Sequence, residues 1–184
     1  MRNSSINEII GNDEYESQRN AIESQTKGLR CACPGIIQSF DKETQTVTVQ
    51  LSIREEITRY NSSKEWINIP LLLDVPIVIP TAGGYSITFP IKKGDECLVV
   101  FSDMCINSWW ALGGIQNQEE KRRHDLSDGF AILGVYSQPN KIENYSLDSM
   151  QIRNKTGSSY IEFKDNEINI VSPSVKINGN EVTS

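Results

Sequence analysis

The chain has 184 residues and a mass of 20.7 kDa, which allows one ordinary domain with an appendage and excludes a large multidomain enzyme. Eighteen Lys+Arg against 24 Asp+Glu give a formal net charge of -6, which weighs against any partner held by phosphate neutralisation, nucleic acid above all. A single histidine, His124, excludes sites that need two imidazoles, and the four cysteines (Cys31, Cys33, Cys97, Cys105) show neither C-x-x-C spacing nor a disulfide framework, so they read as free thiols.

Residues 1–28 are polar with helix signals. Ser5 and Glu8 stand at capping-box spacing, and Ile6, Ile9 and Ile10 share one face before Gly11. From about Asp13 to Lys27 the apolar stripe is only Tyr15, Ala21 and Ile22, too thin to anchor a core. Two readings stay open: a frayed arm, or a segment that orders on a partner through Ile6, Ile9, Ile10, Tyr15 and Ile22. Polar residues follow Met1, and the richest apolar stretch, Ile67 to Ile79, contains Asp74, Pro70 and Pro76; neither a secretory signal nor a membrane helix is expected.

Residues 29–138 read as β. Thr44 to Ile53 alternates strictly, which predicts Val47, Val49, Leu51 and Ile53 on a buried face and Thr46, Thr48, Gln50 and Ser52 outside. Short β-rich runs follow at Ile67 to Leu73, Val75 to Ile79, Tyr85 to Ile91, Glu96 to Phe101 and Phe130 to Tyr136, with a helical turn or two at Met104 to Leu112. Five or so strands and one short helix match an OB-fold barrel.

Residues 139–184 alternate short strands with polar turns. Ile161 and Phe163, Ile168 and Ile170, and Val175 and Ile177 each point one way, around Lys164-Asp165-Asn166 and Ser172-Pro173-Ser174. So narrow a sheet needs company. Either it folds back as a meander on the barrel, or three copies intertwine with those six residues inside and Glu162, Lys164, Asn169 and Lys176 outside.

Candidate catalytic chemistry is thin. His124-Asp125 with Ser127 and Asp128 supplies the residue types of a triad, but sequence neighbours rarely face one another; a polar turn capped by Asp125 and Ser127 accounts for them. Gly83-Gly84 and Gly113-Gly114 lack the Lys-Ser/Thr of a phosphate loop and read as turns. Cys31 and Cys33 share one side of a strand without a second ligand pair, and Trp109-Trp110 fits core or subunit-interface packing better than base stacking, which normally comes with a basic groove. No catalytic residue, metal site or cofactor is expected.

The order of parts, with Asp74-Val75-Pro76-Ile77, Pro90-Ile91-Lys92-Lys93-Gly94-Asp95-Glu96 before an apolar strand, Trp109-Trp110, Gly113-Gly114 and Arg123-His124-Asp125-Leu126-Ser127-Asp128-Gly129, resembles the central spike of contractile phage tail baseplates. The resemblance covers residues 30–138, and the tail by character only. It implies a mainly β, non-enzymatic homotrimer in the virion: a helical docking arm (1–28) against a baseplate hub protein, an OB-fold barrel (29–138), and an intertwined trimeric β-helix (139–184) that punctures the host membrane on sheath contraction. Sharpened members of that family hold iron through histidines; none follows His124 here. A blunt end at Glu181-Val182-Thr183-Ser184 then predicts a separate tip-capping protein, unless Val182 closes the prism itself. The competing reading is an intracellular OB-type module that binds oligosaccharide or single-stranded nucleic acid.

Overall fold

Closing a sheet on itself removes the unpaired edges that an open sheet must protect, and the N-terminal half of the chain does this. In the computed structural model, which describes residues 15–22, 26 and 28–181, this half contains helix α1 (15–22) and strands β1 (Ala32–Asp41) and β2 (Thr46–Leu51). A ribbon of β3 (Glu55–Thr58) and β4 (Lys64–Ile67) follows, then β5 (Leu72–Val78) and a second ribbon of β6 (Thr81–Ala82) and β7 (Tyr85–Ser86). Strand β8 (Glu96–Phe101), helix α2 (Asn107–Leu112) and β9 (Gly129–Leu133) complete it. Five of these strands form a closed barrel in the order β1-β2-β5-β9-β8, antiparallel throughout except for the parallel pair β5 and β9. The result is a mainly β chain with an OB-like barrel.

Inward residues of all five strands fill the barrel: Ile37, Val47, Val49, Leu72, Val75, Cys97, Val99, Phe101 and Ala131. Burial pushes the Cys97 thiol up to about 11, which keeps it protonated and inert. β1 escapes a pattern reading because Pro34-Gly35 looks like a turn. The glycine is there for space: a Cβ on Gly35 would lie 2.4 Å from Val49 Cγ1, so only hydrogen lets β1 cross β2 this closely. In β5, Leu72 and Val75 both point inward although three residues apart. Asp74 between them has φ 52°, and this left-handed residue makes a bulge that absorbs the odd position.

Two details of the predicted β2 differ. Ile53 is 59% exposed because the strand stops at Leu51 and the chain departs into the β3–β4 ribbon. Thr46 is buried, with its hydroxyl 2.8 Å from that of Thr44. The expected strand from Ile67 to Leu73 is two pieces, since Ile67 ends β4 and Leu72 begins β5. Only Tyr85 and Ser86 of the predicted run to Ile91 are in a strand, and β9 ends at Leu133 instead of Tyr136.

The chain divides into compact units Met1–Val135 and Tyr136–Ser184. The second has a three-stranded antiparallel sheet, β10 (Met150–Arg153), β11 (Tyr160–Lys164) and β12 (Glu167–Val171) in that order. A separate ribbon pairs β13 (Lys176–Ile177) with β14 (Asn180–Glu181).

Candidate assembly interface

In an antiparallel sheet, directly paired residues share a face, so the register of the second unit decides what each face presents. Met150 pairs with Phe163 and Phe163 with Ile168; in the next row Ile152 pairs with Ile161 and Ile161 with Ile170. One face is therefore six apolar side chains and nothing else. They are 37% to 65% exposed, against a few per cent in the barrel core. The structure thus brings together Ile161, Phe163, Ile168 and Ile170, and adds Met150 and Ile152, which sequence reading passed over because β10 is a short strand after a polar stretch. Val175 lies half-buried before β13, and Ile177 sits exposed on the small ribbon opposite Asn180, apart from that six-residue face.

The opposite face is polar at its centre, with Tyr160 paired to Val171 at one end. Gln151, Glu162 and Asn169 form its middle row. Glu162, expected outside, is buried: its carboxylate accepts from Ser149 Oγ at 2.6 Å, Gln151 Nε2 at 3.0 Å and Asn169 Nδ2 at 3.2 Å, with Lys164 Nζ 3.4 Å away. These donors, the Ser149 hydroxyl first, hold the Glu162 carboxyl down at about 2. One face is thus locked by its own hydrogen bonds while the other has no cover within the sheet.

In the barrel unit the residues from Arg122 to Gly129 form a clamp. Asp128 is fully buried; its carboxylate accepts from Arg122 Nε at 2.6 Å, Arg122 Nη2 at 2.9 Å and the Ile106 amide at 3.0 Å. Burial pushes the Asp128 carboxyl up, but the Arg122 and Ile106 hydrogen bonds outweigh it and hold the group below the ordinary carboxylate value. Arg122 also reaches Asn107 Oδ1 and Glu120, so the clamp ties the start of α2 to the entrance of β9. Gly129 follows because a Cβ there would meet Val99 Cγ1 at 2.8 Å. Asp125 Oδ1 caps the Ser127 amide at 2.9 Å, the turn the sequence predicts. His124 Nδ1 donates to the Arg30 carbonyl at 3.0 Å and Nε2 lies 3.4 Å from Asp103, so it pins the chain ahead of β1, and among the described residues it meets no serine. Sequence reading missed Asp128 because four neighbouring polar residues look alike until burial separates them.

A family model described as the phage protein Gp138 N-terminal domain matches residues 33–134, more than half of the chain. The chain belongs to that family. The Gp138 N-terminal match takes in the five barrel strands but for Ala32 at the start of β1, together with α2 and the clamp, which makes the protein a phage protein whose family domain is this barrel. No curated protein matches the chain. The second unit, with the apolar sheet face, lies beyond the family match.

Of the expected docking residues, Tyr15 and Ile22 lie on α1 and are exposed; Ile6, Ile9 and Ile10 fall outside the described residues, as do Val182 and Ser184. All four cysteines are free, and among the described residues no three of His, Cys, Asp and Glu gather to hold a metal ion. Trp109 and Trp110 are not core: each is 45% exposed, and Trp109 meets Phe130 edge-on with centroids 5.8 Å apart.

Proposed function

We propose that the chain is the central spike of a contractile phage tail baseplate: a homotrimer whose C-terminal strands wind into a β-helical prism, driven through the host envelope by sheath contraction. The observation that carries this reading is the bare six-residue apolar face of the β10-β11-β12 sheet. Six side chains, each roughly half-exposed, give about 1 kcal/mol apiece on burial, or about 6 kcal/mol per chain. That is comparable with the whole stability of a small domain, so the face needs a permanent partner. Three copies around an axis supply one, and the sheet's two outer strands, β10 and β12, then find strands of neighbouring copies to pair with.

The work is mechanical and needs no catalytic group; α1 and the residues before it serve as the docking arm to the hub. An OB-type binding module is the second reading, and the half-exposed Trp109 and Trp110 between β8 and β9 favour it, since that connection carries ligands in OB barrels. The following loop carries Glu119-Glu120-Lys121-Arg122-Arg123, but Arg122 is paired with Glu120 and Asp128 and Arg123 with Asp103, and with the chain's net charge of -6 this argues against a polyanionic ligand.

The mass of the purified full-length protein in solution tests the proposal. Three times the 20.7 kDa chain mass is expected. A monomer at micromolar concentration refutes the spike and favours the binding module.

A further inference from the structure

A barrel wall that faces water carries polar side chains on its outside, and β2 follows the rule with Thr48 and Gln50. The other walls break it over two rows. Pro34 of β1 pairs with Leu98 of β8, Leu98 with Ile132 of β9, and Ile132 with Val78 of β5; in the next row Val100 pairs with Phe130. Alternation turns all six outward: Cys97, Val99 and Ala131 beside four of them are buried in the barrel, Gly35 beside Pro34 is buried too, and Ile77 beside Val78 packs against the core. No charged residue stands within these two rows; Glu96, outward on β8 and paired with Ile36, bounds them on one side, and Trp109 of α2 borders them through its contact with Phe130.

We propose that this wall is where the barrels of neighbouring copies of this chain meet. The proposal rests on the trimer reading and adds a second, separate contact to it. Size decides the occupant. Four strands about 4.8 Å apart and about four residues deep at 3.3 Å span roughly 200 Å² in projection. A free partner in a standard complex covers about 800 Å² on each side, so the wall is too small to capture one from solution, even with Trp109 and Trp110 at its rim. Copies already joined elsewhere meet at an effective concentration in the millimolar range, and at that concentration a small dry contact closes. The connectivity supplies the joint: β9 ends at Leu133, and only Gly134 and Val135 precede the second unit. Joining second units about one axis tethers the β9 ends of all copies, and the wall contains β9.

The test uses the full-length chain with a photo-cross-linking phenylalanine analogue at Ile132, at Leu98 as a second site in the wall, or at Thr48 on the polar outside of β2 as control. Each variant's mass is measured before irradiation. The expected result is a trimer mass throughout, with chain-to-chain adducts from positions 132 and 98 and a loss of that product at position 48. A trimer mass with no inter-chain adduct from either wall position overturns the inference and leaves the trimer reading standing. Adducts to the chain's own residues 1–28 likewise overturn it, since the arm then covers the wall. A monomer mass overturns both.

Discussion

Removing the Asp128 carboxylate should destabilise the barrel far more than removing either polar neighbour in the same turn. The carboxylate is inaccessible to water and accepts three hydrogen bonds, two from Arg122 and one from the Ile106 amide. Breaking a buried ion pair from one side costs about 3–5 kcal/mol, because the surviving charge stays desolvated. Arg122 retains Asn107 and Glu120, which places Asp128→Ala near the lower end, at about 3 kcal/mol. At about 4 °C per kcal/mol for a domain of this size, the barrel transition should fall by about 12 °C. Thermal unfolding followed by tryptophan fluorescence reads this directly, since Trp109 and Trp110 sit on the helix whose entry Asp128 holds. The folded-state carboxyl is held below its ordinary 3.8, so its stabilisation is present above that pH and fades as pH falls further. The gap between wild type and Asp128→Ala should therefore be full at pH 7 and narrow below pH 3.8. A shift under about 4 °C at pH 7, corresponding to less than about 1 kcal/mol, refutes the argument that the clamp's burial makes it costly to break.

Three further outcomes are expected. In the proposed trimer Ile170→Asp would put three like charges near the shared axis, so this variant should assemble poorly at neutral pH and better in acid; a fully trimeric mass at pH 7 counts against the proposed interface. Glu162, held at about 2 in the folded sheet, should lend the tail stability that is present above its ordinary 4.5 and lost as pH falls from 4.5 towards 2; Glu162→Gln should abolish that acid sensitivity in circular dichroism of the full chain, and an unchanged acid transition contradicts it. His124→Ala should lose one hydrogen bond to Arg30, about 1 kcal/mol by chemical denaturation, with infectivity retained; normal folding and assembly with infectivity gone requires a functional role for the imidazole.

The legible parts of the sequence are those where one period rules. Val47, Val49 and Leu51 line the barrel because strict alternation over six residues has one burial solution, and β8 stands at Glu96–Phe101 as read because a short apolar run there follows the Gly94-Asp95 turn. Ile161, Phe163, Ile168 and Ile170 were legible for the same reason. What escaped was set by distant neighbours. Pro34-Gly35 reads as punctuation until Val49 explains the glycine, and Arg54 to Trp66 is polar on both faces, so the β3–β4 ribbon leaves no periodic trace. Glu162, expected outside, and Asp128, which the sequence places in a polar turn, are both buried by partners that no local pattern reveals: Ser149 and Gln151 for one, Arg122 and the Ile106 amide for the other.

The barrel's closure also sets an order of events during synthesis. Its defining seam joins Ala32 to Val100, a contact between residues far apart in sequence and slow to form, whereas β10, β11 and β12 are joined by short local turns. Ribosomes deliver the N-terminal strands first, and β9, the last stave, emerges before any residue of the tail sheet. A chain can therefore finish its barrel alone, at a rate independent of concentration, before it exposes the face that two other copies cover in the proposed trimer. Recruitment then draws on chains whose first unit is already folded, which limits entanglement among half-made copies in a crowded host.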